Sequence, residues 1–228
     1  MVGAIVETTS AREWEERQLV LIAELQHRTR NLISLVRSIS EKTARASDSL
    51  SDFRERFSDR LEALARVQGL LSRLNEHDRI SFDELIEAEF AALGSRSDRV
   101  TLNGPKNVRL RSSTVQTLAM AVHELATNAV KYGALGQADA QLAVTWQLQR
   151  QDDKGRPWLC IDWRERGVTM PPSGAKPGGR GQGRELIEKA LPYQLSAETS
   201  YELGPDGVHC TISIPISTST GRGADDAG

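Results

Sequence analysis

The sequence predicts an α + α/β chain: a helical hairpin followed by an α/β sandwich. Three observations predict it. Apolar residues recur with heptad-like spacing through the first third. The texture changes at Ser81, after which helical and strand-like runs alternate. A helical stretch with one polar stripe, HELATNAVKYGAL, then stands among those strands. Mixed helices and strands around one sheet give a layered architecture.

Residues 11–77 read as the hairpin. Leu21, Leu25, Leu32, Leu35 and Ile39 form a narrow seam, with Ile22, Thr29 and Val36 beside it. The run SDSLSD breaks the pattern, because serine and aspartate favour caps and turns. A second helix is expected from about Ser51 to Asn75, with Phe53, Phe57, Leu61, Leu64, Gln68 and Leu71 on its seam. One hairpin covers only one side of such a seam. A homodimer would complete a four-helix bundle, and packing on the chain's own C-terminal part is the other solution.

Residues 80–217 read as the sandwich. A helix carrying Phe82, Leu85, Ile86, Phe90 and Leu93 leads to the strand RVTLNG. A helix from about Ser112 to Tyr132 follows, then the strands QLAVTWQLQ and PWLCIDW around the turn DDKGR. Arg166 to Arg180 has no periodicity, three prolines and four glycines, and is expected to be a mobile loop. The helix GRELIEKAL and a hairpin, SAETSYEL and VHCTISIPI around GPDG, complete the unit. The tail, 218–228, is expected to be disordered.

Composition excludes several classes. The chain has 228 residues, 39% of them apolar, and a net charge of −2. That balance gives no general attraction to nucleic acid. No apolar run approaches a membrane span, and the charged start is not a secretory signal. Cys160 and Cys210 stand in apolar runs without a C-x-x-C pair. They are expected to be reduced, in a cytoplasmic protein. No P-loop, protein-kinase motif set, zinc spacing or G-x-S-x-G elbow is present.

Three clusters can carry chemistry. Glu124, Asn128 and Lys131 fall at i, i+4 and i+7, on one helical face. A carboxylate, an amide and an ammonium suit a metal-bound polyphosphate: the amide oxygen can ligate Mg²⁺ and the lysine can neutralise phosphate. Spacing alone favours a plain solvated face for the same three residues. Asp162 to Gly167 end an apolar strand, where a carboxylate can accept from an adenine amino group. Gly181 and Gly183 precede a helix and expose backbone N–H groups to an anion.

Together and in this order, these pieces resemble the HWE family of sensor histidine kinases. ELQHRTRNLISLV is similar to the phosphoacceptor box, and HELATNAVKYGAL to the N box with its signature His123. WRERG is similar to the Trp-x-Glu signature, through Trp163 and Glu165, and GQGRELIEKAL to the second glycine box. The resemblance implies a dimeric hairpin and a Bergerat-type ATP-binding domain. It implies that His27 is phosphorylated from ATP and passes the phosphoryl group to an aspartate of a response-regulator receiver. Asn128 would hold Mg²⁺, Lys131 would contact phosphate, and Glu124 would serve the metal–water network or accept a proton. Glu165 would stand at the adenine end. Gly167, Gly181 and Gly183 would line the nucleotide, with 166–180 as lid. Arg28 and Asn31 are expected to support the phosphoacceptor.

The chain departs from the family at the lid and its flanks. After Glu165 the run is Arg-Gly-Val-Thr-Met-Pro-Pro, Gln182 replaces an apolar residue, and Leu195-Ser196-Ala197 replaces Leu-Gly-Gly. No sensor domain is evident before the hairpin. A separate sensor protein, a start further upstream and a constitutive kinase all fit that observation. The competing functions are a phosphotransfer or pseudokinase adaptor and a serine kinase on the same nucleotide fold, against which the histidine-bearing hairpin argues.

Overall fold

The computed structural model describes residues 18, 22, 26, 29–30, 32–45, 47–72, 80–94, 98–150, 156–170 and 182–216. The expectations for His27, Arg28, Asn31 and Gly181, for lid residues 171–180 and for the tail lie outside them. The chain forms two compact units, Met1–Phe57 and Ser58–Gly228, which divide inside a helix. Among the described residues no helix is long and apolar enough to cross a membrane.

The first unit holds α1 (helical at 29–30 and 32–45) and the start of α2 (Leu50–Ser72). Ile39 and Thr43 are buried on α1, while Leu32, Leu35 and Val36 are half-buried, in line with the predicted seam. The SDSLSD break is a helix start. Ser49 Oγ accepts from the Asp52 N–H at 3.1 Å, which satisfies an otherwise orphan donor. Phe53 and Phe57 stack one turn apart, with centroids 5.3 Å apart.

The second unit takes up α2 from Ser58 onward. There Arg60, Ala63, Leu64 and Val67 are buried, a stripe at i, i+3, i+4 and i+7. Val67 belongs to the same apolar core as the sheet and its helices. In this half of α2, the chain's own C-terminal part covers the seam.

The sandwich has a five-stranded mixed sheet in the order β1 (Val100–Asn103), β2 (Gln141–Arg150), β3 (Pro157–Arg166), β5 (Gly207–Pro215), β4 (Glu198–Gly204). Only the β1–β2 pair is parallel, because the whole of helix α4 (Ser112–Lys131) lies between those strands in the chain. Alternate residues point to one covered face: Leu142, Val144 and Trp146 on β2, Leu159, Ile161 and Trp163 on β3, Cys210, Ile212 and Ile214 on β5. The other face is polar, with Thr101, Thr145, Asp162 and Thr211 under an open concavity of about 840 Å³.

Helices α3 (Phe82–Ala92) and α4 and the segment Gln182–Leu195 form the covering layer. A capping box starts α3: the Ser81 side chain accepts from the Glu84 N–H, and Glu84 Oε2 accepts from the Ser81 N–H at 2.8 Å. The last helix runs past the predicted end at Leu191. It comprises α5 (Gln182–Glu185), a wider i→i+5 stretch (Leu186–Ala190) and α6 (Leu191–Leu195). Pro192 lacks an N–H and would crowd the carbonyl four residues back; the wide turn before it absorbs that conflict. Cys160 and Cys210 are both free thiols. Burial pushes the Cys210 thiol up to about 12.

The helix ends at Ser196, whose φ of 52° and ψ of 38° are left-handed. The resemblance puts glycine in this Ser196–Ala197 segment, and the backbone shows why: a Cβ is strained there. Replacing Ser196 with glycine is expected to raise unfolding stability by about 1 kcal/mol, measured by urea denaturation.

Candidate functional site

Helix α4 sets the site by its rotation. Val122, Leu125, Ala126 and Ala129 are buried against the core, which leaves Glu124, Asn128 and Lys131 on the opposite, more open face. The shared face predicted for these three residues is therefore present. Gly183, on α5, lies directly against it. A Cβ at Gly183 would sit 3.0 Å from Asn128 Nδ2 and 3.2 Å from Glu124 Oε2. Gly183 and the α4 stripe thus meet at one place, although 55 positions separate Asn128 from Gly183 in the sequence (183 − 128).

Two α2 residues reach the same stripe from the other side. Arg60 Nε donates to Glu124 Oε1 at 2.5 Å, and the two side chains are only 11% and 13% exposed. Lys131 Nζ stands 3.7 Å from Asp59 Oδ2, with both groups more than a third exposed, so solvent screens that pair.

His123, beside Glu124 in sequence, faces the other way. It is buried, and its Nδ1 lies 2.5 Å from Glu89 Oε1 on α3. Arg66 of α2 donates to both Glu89 oxygens, at 3.3 and 3.4 Å. Burial pushes the Glu89 carboxyl up, but the hydrogen bond and charge of His123, with Arg66, outweigh it and hold Glu89 below the ordinary range. The arrangement joins α2, α3 and α4 through one carboxylate.

Trp163 and Glu165 are both buried on β3. The Trp163 indole donates to Glu165 Oε1 at 3.1 Å, and the Ala134 N–H donates to Oε2 at 2.8 Å. A Cβ at Gly133 would fall 1.9 Å from Oε2, so only glycine lets the α4–β2 loop close on the carboxylate. Burial pushes the Glu165 carboxyl up, partly opposed by these two donors. Gly167 turns the chain with φ of 73° and donates its N–H to Asp206 at 2.9 Å. Arg99 fastens the loop from below, donating to the carbonyls of Ala134, Leu135 and Gln137.

The structure thus gathers Glu124, Asn128, Lys131 and Gly183, and places Glu165 and Gly167 at the end of β3. It turns His123 away from that face. Sequence reasoning missed Arg60, Arg66, Glu89 and Arg99. A signal existed for Arg60: it stands three residues after Phe57 and four before Leu64 of the predicted seam, where a guanidinium requires a partner. Among the described residues no group of three or more His, Cys, Asp or Glu side chains is arranged for a metal. The donor set fits a cation that keeps waters and shares its ligands with phosphate, such as Mg²⁺, rather than a zinc-type cage.

The HWE histidine kinase family matches residues 24–106. The blue-light-activated histidine kinase 1 of Erythrobacter litoralis is 29% identical over 215 residues, 93% of this chain and 57% of that protein. The blue-light-activated histidine kinase of Brucella anthropi is 29% identical over 218 residues, 95% of this chain and 43% of that one. The chain therefore spans about half the length of these relatives. The solved blue-light activated histidine kinase of Erythrobacter litoralis superposes with a TM-score of 0.55 at 17% identity, covering 83% of this chain and 60% of that one. Its histidine kinase domain alone gives 0.50 at 19% identity, covering 81% and 96%.

Because the folded Glu89 carboxyl titrates below its unfolded value, its stabilising contribution is present above about 4.5 and lost as pH falls through the lowered value. Glu89→Gln is expected to cost about 3 kcal/mol at neutral pH and to flatten the acid limb of stability against pH. Urea melts from pH 7 to pH 3 check both.

Proposed function

We propose that this chain, a member of the HWE histidine kinase family, is an ATP-dependent protein histidine kinase that phosphorylates its own His27. The phosphoryl group then passes to an aspartate of a response-regulator receiver domain. The observation that carries the reading is the contact of Gly183 with Glu124 and Asn128. It brings the start of α5 against a carboxylate–amide stripe, a pairing that suits a metal-bound polyphosphate.

In this reading a neutral His27 nitrogen attacks the γ-phosphorus, and the bond to the β–γ bridging oxygen breaks. ADP leaves, and the imidazole proton passes to Glu124 or to water. Asn128 would hold Mg²⁺, which supplies charge neutralisation at the phosphates. Lys131 exchanges its weak pairing with Asp59 for a phosphate oxygen. Glu165 and Gly167 shape the adenine end. The Glu165 oxygens already accept from Trp163 and Ala134, so its main task is to hold that wall in place. Phosphoryl transfer depends chiefly on positioning and charge, so this sparse set suffices. Arg28 and Asn31 are assigned supporting roles from their places beside His27 in the sequence, Gly181 from the family pattern, and the pairing of two hairpins into a homodimer from the apolar seam together with that pattern.

Incubation with γ-labelled ATP and Mg²⁺ tests the reading. Wild type is expected to acquire acid-labile, base-stable label, His27→Ala none, and Asn128→Ala at least 100-fold less, about the weight of a lost metal-binding contact. A folded wild type that takes no label from ATP, yet accepts phosphate onto His27 from a phosphorylated receiver, would instead make the protein a phosphotransfer adaptor.

A further inference from the structure

We infer that Arg60 is a positioning residue for phosphoryl transfer, fixing the Glu124 carboxylate from α2. The inference rests on the kinase reading and extends it to a helix outside the nucleotide motifs.

The two oxygens of Glu124 have different surroundings. Oε1 accepts from Arg60 Nε at 2.5 Å. Oε2 lies 3.2 Å from the space a Gly183 Cβ would occupy, and Asn128 Nδ2 lies 3.0 Å from that same point. One oxygen is therefore held by α2, and the other is presented beside Asn128. A glutamate carboxylate rotates about a broad, soft terminal torsion. A single charge-assisted hydrogen bond removes most of that freedom and leaves the free oxygen aimed. The guanidinium is itself held in place, since Arg60 is buried on the stripe that continues through Ala63, Leu64 and Val67.

Magnitudes separate this pair from its neighbour. Asp59, the adjacent residue, pairs with Lys131 at 3.7 Å, and those side chains are 41% and 37% exposed. Water screens such a pair, and breaking it costs little. Arg60 and Glu124 are a full ångström closer and largely withdrawn from water, so their geometry is well defined. The relation is that of an outer residue which orients a ligand it does not replace.

The experiment is a double-mutant cycle between Arg60→Met and Glu124→Gln in the full chain, with Arg60→Lys as the conservative variant. Thermal melting confirms folding. Arg60→Met is expected to lower the rate of His27 labelling about 10–100-fold, with a smaller, few-fold loss of Mg-ADP affinity. Arg60→Lys should recover part of the loss. In the Glu124→Gln background, Arg60→Met should add no further loss. Wild-type or faster labelling by Arg60→Met overturns the inference, as do penalties that simply multiply. Should Arg60→Met fail to fold, Arg60→Lys carries the same cycle. An unlabelled wild type would count against the kinase reading alone. The cycle is then read from the Mg²⁺-dependence of ADP binding, which Arg60→Met and Glu124→Gln must alter alike and non-additively; independent changes, or none, overturn the inference.

Discussion

The rotation of α4 about its own axis is the constraint on which the rest of this molecule depends. Ten of its residues are buried, nine of them apolar, and their packing against the core holds one rotational setting. That setting sends His123 inward to Glu89 and Glu124 outward toward Gly183. Neighbouring residues thereby acquire unrelated tasks, because a helix turns by about 100° per residue. A shift of one position would bury Glu124 and expose His123, leaving a carboxylate in the core and Glu89 without its imidazole partner.

Two buried glutamates secure the surroundings by different means. Glu89 is held by the Arg66 guanidinium and the His123 imidazole, so its charge is stabilised in place. Among the described residues Glu165 has neutral donors alone, an indole and a backbone amide, and burial dominates. Glu89 thus acts as an ionic junction among three helices. Glu165 acts as a strut between β3 and the loop after α4, and the missing side chain of Gly133 makes the close approach possible. Arg99 holds the same loop by its carbonyls, so the wall of the site is fixed from both the acceptor and the donor side.

Much of this was legible beforehand. Strand-like runs paired around turn segments placed β2, β3 and β5 within a few residues of their observed bounds. The SDSLSD break and the shared face of Glu124, Asn128 and Lys131 followed from capping chemistry and helical spacing. The seam of α2 was less legible. Heptad spacing pointed to Leu61, Leu64, Gln68 and Leu71, whereas Arg60, Ala63, Leu64 and Val67 are the buried residues. A small alanine and a charged arginine give no apolar signal, and the surface they bury against comes from distant parts of the chain. The passage of the last helix beyond Pro192 was equally hidden, because proline ends most helices and only a local widening lets this one continue.

The sequence by itself determined the order of elements, the one-sided sheet and the family signature residues, because each is written in local spacing and composition. It also determined that Glu124, Asn128 and Lys131 would share a face. Only the tertiary structure decided which partners those residues meet. Arg60 reaches Glu124 across 64 positions, and Glu89 reaches His123 across 34. No local rule encodes such pairings. They arise when burial of the apolar faces of α2, α3 and α4 brings charged side chains into a shared interior, where each charge must find an opposite one.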